Sequence, residues 1–168
     1  MRAYFFVNNL YMRELQWGLQ SLHCLGELHN KYLPNVASAT QYAMLRDWEQ
    51  NHKTVIFLGA GNVEGLNTVY NHFRELERFT DFKYPFARFN EDEQSLNNAI
   101  TSVGIILPES VYGLAAVMRD TKSDIDEWCD ALVLANEAGR HLIVGSGIAV
   151  ESRDQIMLAD FLNQYRLA

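Results

Sequence analysis

Cysteine is scarce in this sequence: only Cys24 and Cys129 are present among 168 residues. Neither belongs to a Cys-x-x-Cys pair, which argues against a cysteine-based zinc site or a redox-active dithiol. Cys24 falls inside a predicted helix, and we expect an inert, buried thiol there.

Long apolar runs are also missing. No segment approaches the roughly 18 consecutive apolar residues that a transmembrane helix needs. The apolar part of the N-terminal segment MRAYFFVNNLYMREL is too short for a signal peptide, since charge returns at Arg13. The sequence therefore predicts a protein of a reducing compartment, with the cytoplasm as the simplest location and no membrane partner.

Basic residues are outnumbered, with 14 Lys and Arg against 21 Asp and Glu, and the formal net charge is −7. This balance argues against a general nucleic-acid binder, because phosphate neutralisation needs a basic face, although it leaves room for a local basic patch. Hydrophobic residues make up 48% of the chain and charged residues 21%, so the chain can bury a core and is not disordered.

No stretch rich in Gly, Ser or Pro separates domains, and strands alternate with helices along the chain. The predicted strands are 3–9, 53–61, 84–89, 99–109 and 141–147, and the predicted helices are 11–32, 39–52, 62–79, 120–140 and 152–166. Ser38 and Ser123 are the expected N-caps of the second and fourth helices. This order predicts an α/β fold: a three-layer domain with a mixed, mainly parallel sheet of about four to five strands flanked by helices.

Glycines follow the second predicted strand. Gly59, Gly61 and Gly65 are spaced G-x-G-x-x-x-G, and such glycines can let backbone N–H groups approach a phosphate at a helix N-terminus. Glu64 occupies the place of the third glycine in the dinucleotide fingerprint, where its charge would repel a pyrophosphate. No acid ends the next strand at the usual distance, so we favour a structural turn over a dinucleotide site.

Two further motifs also favour structural interpretations. Gly145 and Gly147 follow an apolar strand and predict a turn. Glu91, Asp92 and Glu93 could offer oxygens to a hard cation, but three neighbouring acids diverge unless the loop folds around the ion. We expect a solvated loop there, with no metal and no cofactor.

A polar stripe runs along the first predicted helix, where Gln16, Gln20, His23 and Glu27 recur at helical spacing. Apolar residues flank the stripe: Leu15, Leu19 and Leu22 on one side, and Trp17, Cys24 and Leu28 on the other. Imidazole suits proton transfer near neutral pH, and the two glutamines could orient a carbonyl or a water. The alternative is a structural stripe at the margin of the sheet contact that bonds to loops. No Ser-His-Asp, HExxH or Walker pattern is present.

The end of the first strand and this stripe resemble the type-2 peptidyl-tRNA hydrolase family and its phage-borne relatives. In that family a strand ends near N-x-L/D-x-M, and Met is followed by Lys, Gln and His. Here Asn9-Leu10-Tyr11-Met12 leads into Gln16, Gln20 and His23. The Met, Gln and His positions match, and Gln16 stands where the family has lysine.

A later block, FNEDEQSLNNAITSVGIILP, is similar to the family's polar loop and Thr-rich strand ending in Pro. Counting back from Pro108, Asn90 occupies the family Asp position and Gln94 the loop Thr position. Thr101 or Ser102 occupies the strand hydroxyl position. The resemblance therefore includes both halves of the family's site, with its lysine and its acid replaced.

The resemblance covers roughly residues 2–110. It implies a family-type core over 1–110 and a C-terminal helix-strand-helix extension over 111–168, packed on the same domain. It further implies that the polar stripe faces a cleft, with the leucines on the sheet and the polar loop opposite. The implied catalytic residues are Gln16, Gln20, His23, Asn90, Gln94 and Thr101.

Two hypotheses follow from the resemblance. In the first, the protein is an esterase that cleaves peptidyl- or aminoacyl-tRNA: Gln16 and Gln20 position the carbonyl or water, His23 assists proton transfer, and Thr101 donates to the oxyanion. In the second, the protein keeps the fold without the chemistry and binds a nucleotide-like ligand, or a host protein through Trp128 or the last helix. A phage origin, host-cytoplasmic location and homodimer are further expectations.

Overall fold

A computed structural model describes residues 1–10, 14–34, 39–145 and 147–165. The described chain divides into two compact units, Met1–Leu107 and Pro108–Tyr165. The predicted N-cap Ser38, and Tyr11 and Met12 of the family motif, lie outside the described residues.

The first unit contains a four-stranded sheet in the order β2-β1-β4-β3. Its strands are β1 (Arg2–Val7), β2 (Val55–Gly59), β3 (Phe86–Asn90) and β4 (Ile100–Leu107). The predicted α/β class and mixed four-stranded sheet are confirmed, but the sheet is not mainly parallel. Only β1 and β2 pair in parallel, whereas β4 runs antiparallel to both β1 and β3. The segment between β3 and β4 is too short for the crossover that parallel pairing requires.

Helices cover both faces of this sheet, as a three-layer domain requires. They are α1 (Glu14–Lys31), α2 (Ala39–Asp47) with a π-helical turn Trp48–His52, α3 (Val63–Phe79) and the short α4 (Glu93–Leu96). β1 alternates between the two faces: Phe5 joins the cluster of α1 and α2, while Phe6 meets Phe73 of α3 at 5.9 Å between ring centroids. A strand buried on both faces explains the continuous apolar run of AYFFV.

The core between the sheet and α1 contains ten buried residues. They are Ala3, Phe5, Val7, Cys24, Leu28, Tyr32, Leu45, Trp48, Ala87 and Ile106. Tyr32 ties α1 to β3, because its hydroxyl donates to the carbonyl oxygen of Phe86 and accepts from the Phe86 N–H, both at 3.1 Å. These contacts fix the height of α1 along the sheet.

The two apolar flanks of α1 lie in different environments. Cys24 and Leu28 are fully buried on the sheet, whereas Leu15, Leu19 and Leu22 are exposed. The expectation that the leucines pack on the sheet is therefore wrong. Helical spacing defines two apolar flanks but does not indicate which of them is buried. The flank that contains Cys24 packs on the sheet because the thiol fits over Gly104, whose missing side chain leaves room for it.

The second unit is a helical layer with one hairpin. It consists of α5 (Glu109–Thr121), α6 (Ile125–Glu137), β5 (Leu142–Val144), β6 (Ile148–Val150) and α7 (Arg153–Asn163), with α7 in contact with α5 and α6. The sequence did not predict α5 or β6, and the predicted helix 120–140 begins only at Ile125. Asp124 caps α6 instead of Ser123, accepting from the N–H of Asp126 at 3.0 Å.

No helix in the described ranges is long and apolar enough to cross a membrane.

The environments of the two thiols predict a difference in reactivity. Burial raises the pKa of Cys24 to about 12, and its thiol donates to the Ala87 carbonyl at 3.5 Å. Cys24 therefore stays protonated at pH values where an accessible thiol ionises, whereas Cys129 is only half-buried. We expect iodoacetamide at about pH 8.5 to modify one cysteine in the native protein and both in urea, read by intact mass.

A Cys129→Ser variant is the control for this reaction and should remain unmodified until it is unfolded. Native modification of Cys24 ahead of Cys129 would contradict the burial of the thiol.

Candidate functional site

One edge of the sheet collects most of the residues that the sequence singled out. β1, β2 and β3 run in the same direction, and β4 runs against β1 and β3. The carboxyl ends of the first three strands therefore meet the start of β4 at a single edge. Asn8, Asn90 and Thr101 all lie at or next to these strand ends.

A β-bulge at this edge places Thr101. Phe89 pairs with Ser102, but Asn90 pairs with Ile100, so Thr101 is an extra residue in β4. Bulges re-aim side chains beside functional sites. The Thr101 side chain is fully buried, and its hydroxyl donates to Oε1 of Gln20 on α1 at 2.7 Å.

Gln20 continues the chain of hydrogen bonds to a carboxylate. Its Nε2 donates to Oε1 of Glu91 at 2.8 Å, and only 4% of Gln20 is exposed. Since a carboxylate only accepts, the amide nitrogen must face Glu91 and the amide oxygen must face Thr101. The three side chains thus form a directed series, from the Thr101 hydroxyl through the Gln20 amide to the Glu91 carboxylate.

His23 lies one helical turn beyond Gln20. Its imidazole ring stacks on Phe89, with 4.7 Å between ring centroids and an interplanar angle of 18°. His23 is exposed, so its ring is oriented by the aromatic contact while its edge remains accessible to solvent. An exposed imidazole and a carboxylate therefore flank Gln20 at this edge.

The other predicted site residues occupy different positions. Gln16 is exposed on α1, and Gln94 is exposed on α4. The amide of Asn90 donates to the carbonyl of Asn98 at 2.7 Å and so closes the polar loop on itself. The structure joins Gln20 and Thr101 by a hydrogen bond and sets His23 one turn away, but no hydrogen bond among the described residues joins Gln16, Asn90 or Gln94 to that pair.

The acidic loop does not gather around a cation. Glu91 accepts from Gln20, whereas Asp92 caps α4 by accepting from the Ser95 N–H at 2.7 Å and the Ser95 hydroxyl at 2.9 Å. These hydrogen bonds lower the pKa of Asp92. Within residues 1–10, 14–34, 39–145 and 147–165, no three His, Cys, Asp or Glu side chains are grouped as a metal ion would require.

Glu91 is the functional candidate that sequence reasoning missed. The resemblance places the family acid at Asn90, where the acid is lost, and the sequence pattern of the neighbouring acids favours a solvated loop. The bulge opposite Asn90 could not be foreseen from the sequence. It is the hydrogen bond to Gln20 that assigns the carboxylate at this edge to Glu91.

The glycine motif forms a structural turn. Asn62 caps α3 by accepting from the Gly65 N–H at 3.0 Å, and Gly61 adopts a positive φ of 79°. A Cβ on Gly65 would lie 1.9 Å from the carbonyl oxygen of Ala60. The third glycine is therefore explained by a close backbone approach.

No family model matches this chain, and no curated protein matches it.

Proposed function

We propose that this protein hydrolyses the ester that joins an acyl group to the terminal ribose of tRNA, as the resemblance to type-2 peptidyl-tRNA hydrolases implies. The observation that carries the proposal is the hydrogen bond from Gln20 to Glu91. It holds a carboxylate beside Gln20, which accepts from Thr101, and these two residues occupy the Gln and strand hydroxyl positions of the resemblance, whereas the family's acid position is Asn90. The charge that the family pattern needs is thus supplied by the neighbouring residue.

In the proposed reaction, Glu91 accepts a proton from water as the water oxygen bonds to the ester carbonyl carbon. The tetrahedral intermediate then collapses, the bond between the carbonyl carbon and the ribose oxygen breaks, and protonated His23 donates a proton to that oxygen. The products are a carboxylic acid and the free ribose hydroxyl. Thr101 and Gln20 orient the carboxylate, and Phe89 orients the imidazole.

The test is single-turnover release of a labelled acyl group from acyl-tRNA. Glu91→Gln keeps an oxygen that can accept from Gln20 but removes the base, so release should fall by about 10²–10⁴-fold. Glu93→Gln, an exposed change in the same loop, should release at the wild-type rate. His23→Ala should also lose release, while Asn30→Ala on the exposed side of α1 should not.

Two results would remove the proposal: no release by wild-type protein in excess over substrate, or equal rates for wild type and Glu91→Gln. The dependence of the release rate on pH gives a second test, because a purely structural role of Glu91 would leave the shape of that profile unchanged. Loss of the base should remove the rise of rate with pH on the acidic side.

The second candidate is a binding protein of the same fold without turnover. The hydrogen bonds within the site favour this candidate, because the Thr101 hydroxyl that would donate to an oxyanion already donates to Gln20. The net charge of −7 also opposes contact with a phosphate backbone. Melting-temperature shifts across a nucleotide panel test a nucleotide-like ligand, and capture from host lysate tests a host protein. The homodimer stays a prediction, which sedimentation would test.

A further inference from the structure

A shallow groove lies at the same sheet edge, towards α3. Two adjoining cavities of about 500 Å³ and 660 Å³ share Leu10 and Asn62. Together they form what we call the asparagine groove. It is lined by Asn8, Asn9, Leu10, Gly61, Asn62, Val63, Glu64, Asn67, Thr68 and Asn71.

Asn8, which lines the asparagine groove, carries an unsatisfied donor. Asn8 is fully buried, and its Oδ1 accepts from the Leu10 N–H at 2.9 Å. Its Nδ2 is buried and has no hydrogen-bond partner among the described residues. A buried N–H without a partner is costly, so this position favours a ligand that brings an acceptor.

The charge of the groove selects against anions. Among the described residues that line it, Glu64 alone is charged, and it lies in the first turn of α3. A helix N-terminus attracts phosphate, but here Glu64 occupies that position and the Asn62 side chain already accepts from the Gly65 N–H. The groove is therefore suited to an uncharged ligand.

The lining carboxamides restrict the ligand further. Asn67 and Asn71 lie one turn apart on α3 and line the groove together with Asn62, whose amide nitrogen is left as a donor because its oxygen caps the helix. Asparagine forms paired hydrogen bonds with a purine edge, as in its contacts to N6 and N7 of adenine. Leu10 and Val63 supply apolar surface for the flat face of a ring.

We propose that the asparagine groove binds an uncharged purine nucleoside, with a base acceptor on Asn8 Nδ2 and the base edge on the carboxamides of α3. This binding is independent of the proposed ester hydrolysis, since it requires neither Glu91 nor His23. If the protein binds adenosine but releases no acyl group, the present proposal is supported and the proposed ester hydrolysis is contradicted.

The test is calorimetric titration of the full chain with adenosine and with AMP. Asn62→Asp keeps the oxygen that caps α3 but removes the amide donor, so the fold should persist while the adenosine Kd rises by about tenfold. Asn8→Asp keeps the acceptor for the Leu10 N–H and removes the unsatisfied donor, with at least the same loss. Asn30→Asp, a matched change on the exposed side of α1, should bind as wild type does.

AMP should bind no more tightly than adenosine, and Glu64→Gln should improve AMP binding more than adenosine binding. The proposal is overturned if adenosine gives no heat at millimolar concentration, or if AMP or inorganic phosphate binds more tightly than adenosine. Equal adenosine affinity in wild type and in folded Asn62→Asp would overturn it as well.

Discussion

Replacing Gly65 by alanine is expected to destabilise the first unit by about 3 kcal/mol or more, because the added methyl group overpacks against backbone. The Cβ would lie 1.9 Å from the carbonyl oxygen and 3.1 Å from the carbonyl carbon of Ala60. The turn cannot retreat freely, since the Ala60 N–H bonds to the Val7 oxygen at 3.0 Å. Urea unfolding followed by circular dichroism measures the loss.

Gly26→Ala is the matched control for this substitution. Gly26 lies inside α1, and a Cβ there would meet nothing within 4 Å. Alanine should therefore raise stability by about 0.5–1 kcal/mol through helix propensity alone. Equal urea midpoints for the two variants would contradict the close approach of Gly65 to Ala60.

Phe86→Ala is expected to cost about 3–5 kcal/mol, as large-to-small changes of a buried phenylalanine do. Phe86 is fully buried, and its ring meets Phe73 at 5.8 Å and Phe82 at 5.6 Å between centroids. The Lys31 ammonium lies over the same ring, 3.8 Å from its centroid. Alanine would remove the ring that joins α3, β3 and the end of α1, and the thermal midpoint should fall accordingly.

Phe79→Ala is the control that tests whether the stability lost in Phe86→Ala is due to the burial of Phe86 and not to the removal of a phenylalanine as such. Phe79 is the last residue of α3 and is 72% exposed. Its truncation should change stability by no more than about 0.5 kcal/mol, as at other surface positions. A comparable loss at both positions would show that the Phe86 cluster is not the packing centre.

Much of the first unit could be predicted because its signals are local. β-branched and apolar runs mark β1, β2 and β4, and the strong helical periodicity of α3 marks a helix that the structure places at Val63–Phe79. Pairing direction could not be predicted in the same way. It depends on how the segment between β3 and β4 closes, which periodicity does not report.

The second unit was less predictable for a physical reason. β5 and β6 have three residues each, too few for a period of two to stand out. α5 follows directly after Pro108, and the proline was interpreted as the end of a strand without a helix behind it. Pro108 is the N-cap residue of α5, one position before the first helical residue, where proline is most favoured.

The polar stripe of α1 could be predicted from helical spacing, but that spacing does not separate Gln20 and His23 from Gln16. The resemblance left the strand hydroxyl open between Thr101 and Ser102, and the bulge makes Thr101 the residue that contacts Gln20. Glu91 depends on a single extra residue in β4, and one such residue shifts every following side chain relative to its partner strand.

The position of β1 has a consequence for protein synthesis. β1 is synthesised before β4, yet it lies inside the sheet, and its Arg2 pairs with Leu107 at the far end of β4. During synthesis, the hydrogen-bonding edge of β1 that pairs with β4 therefore remains without its partner until Leu107 has left the ribosome. Such long-range pairing is slow and leaves strand edges exposed to aggregation while it forms, so the closure of this sheet depends on contacts between distant parts of the chain.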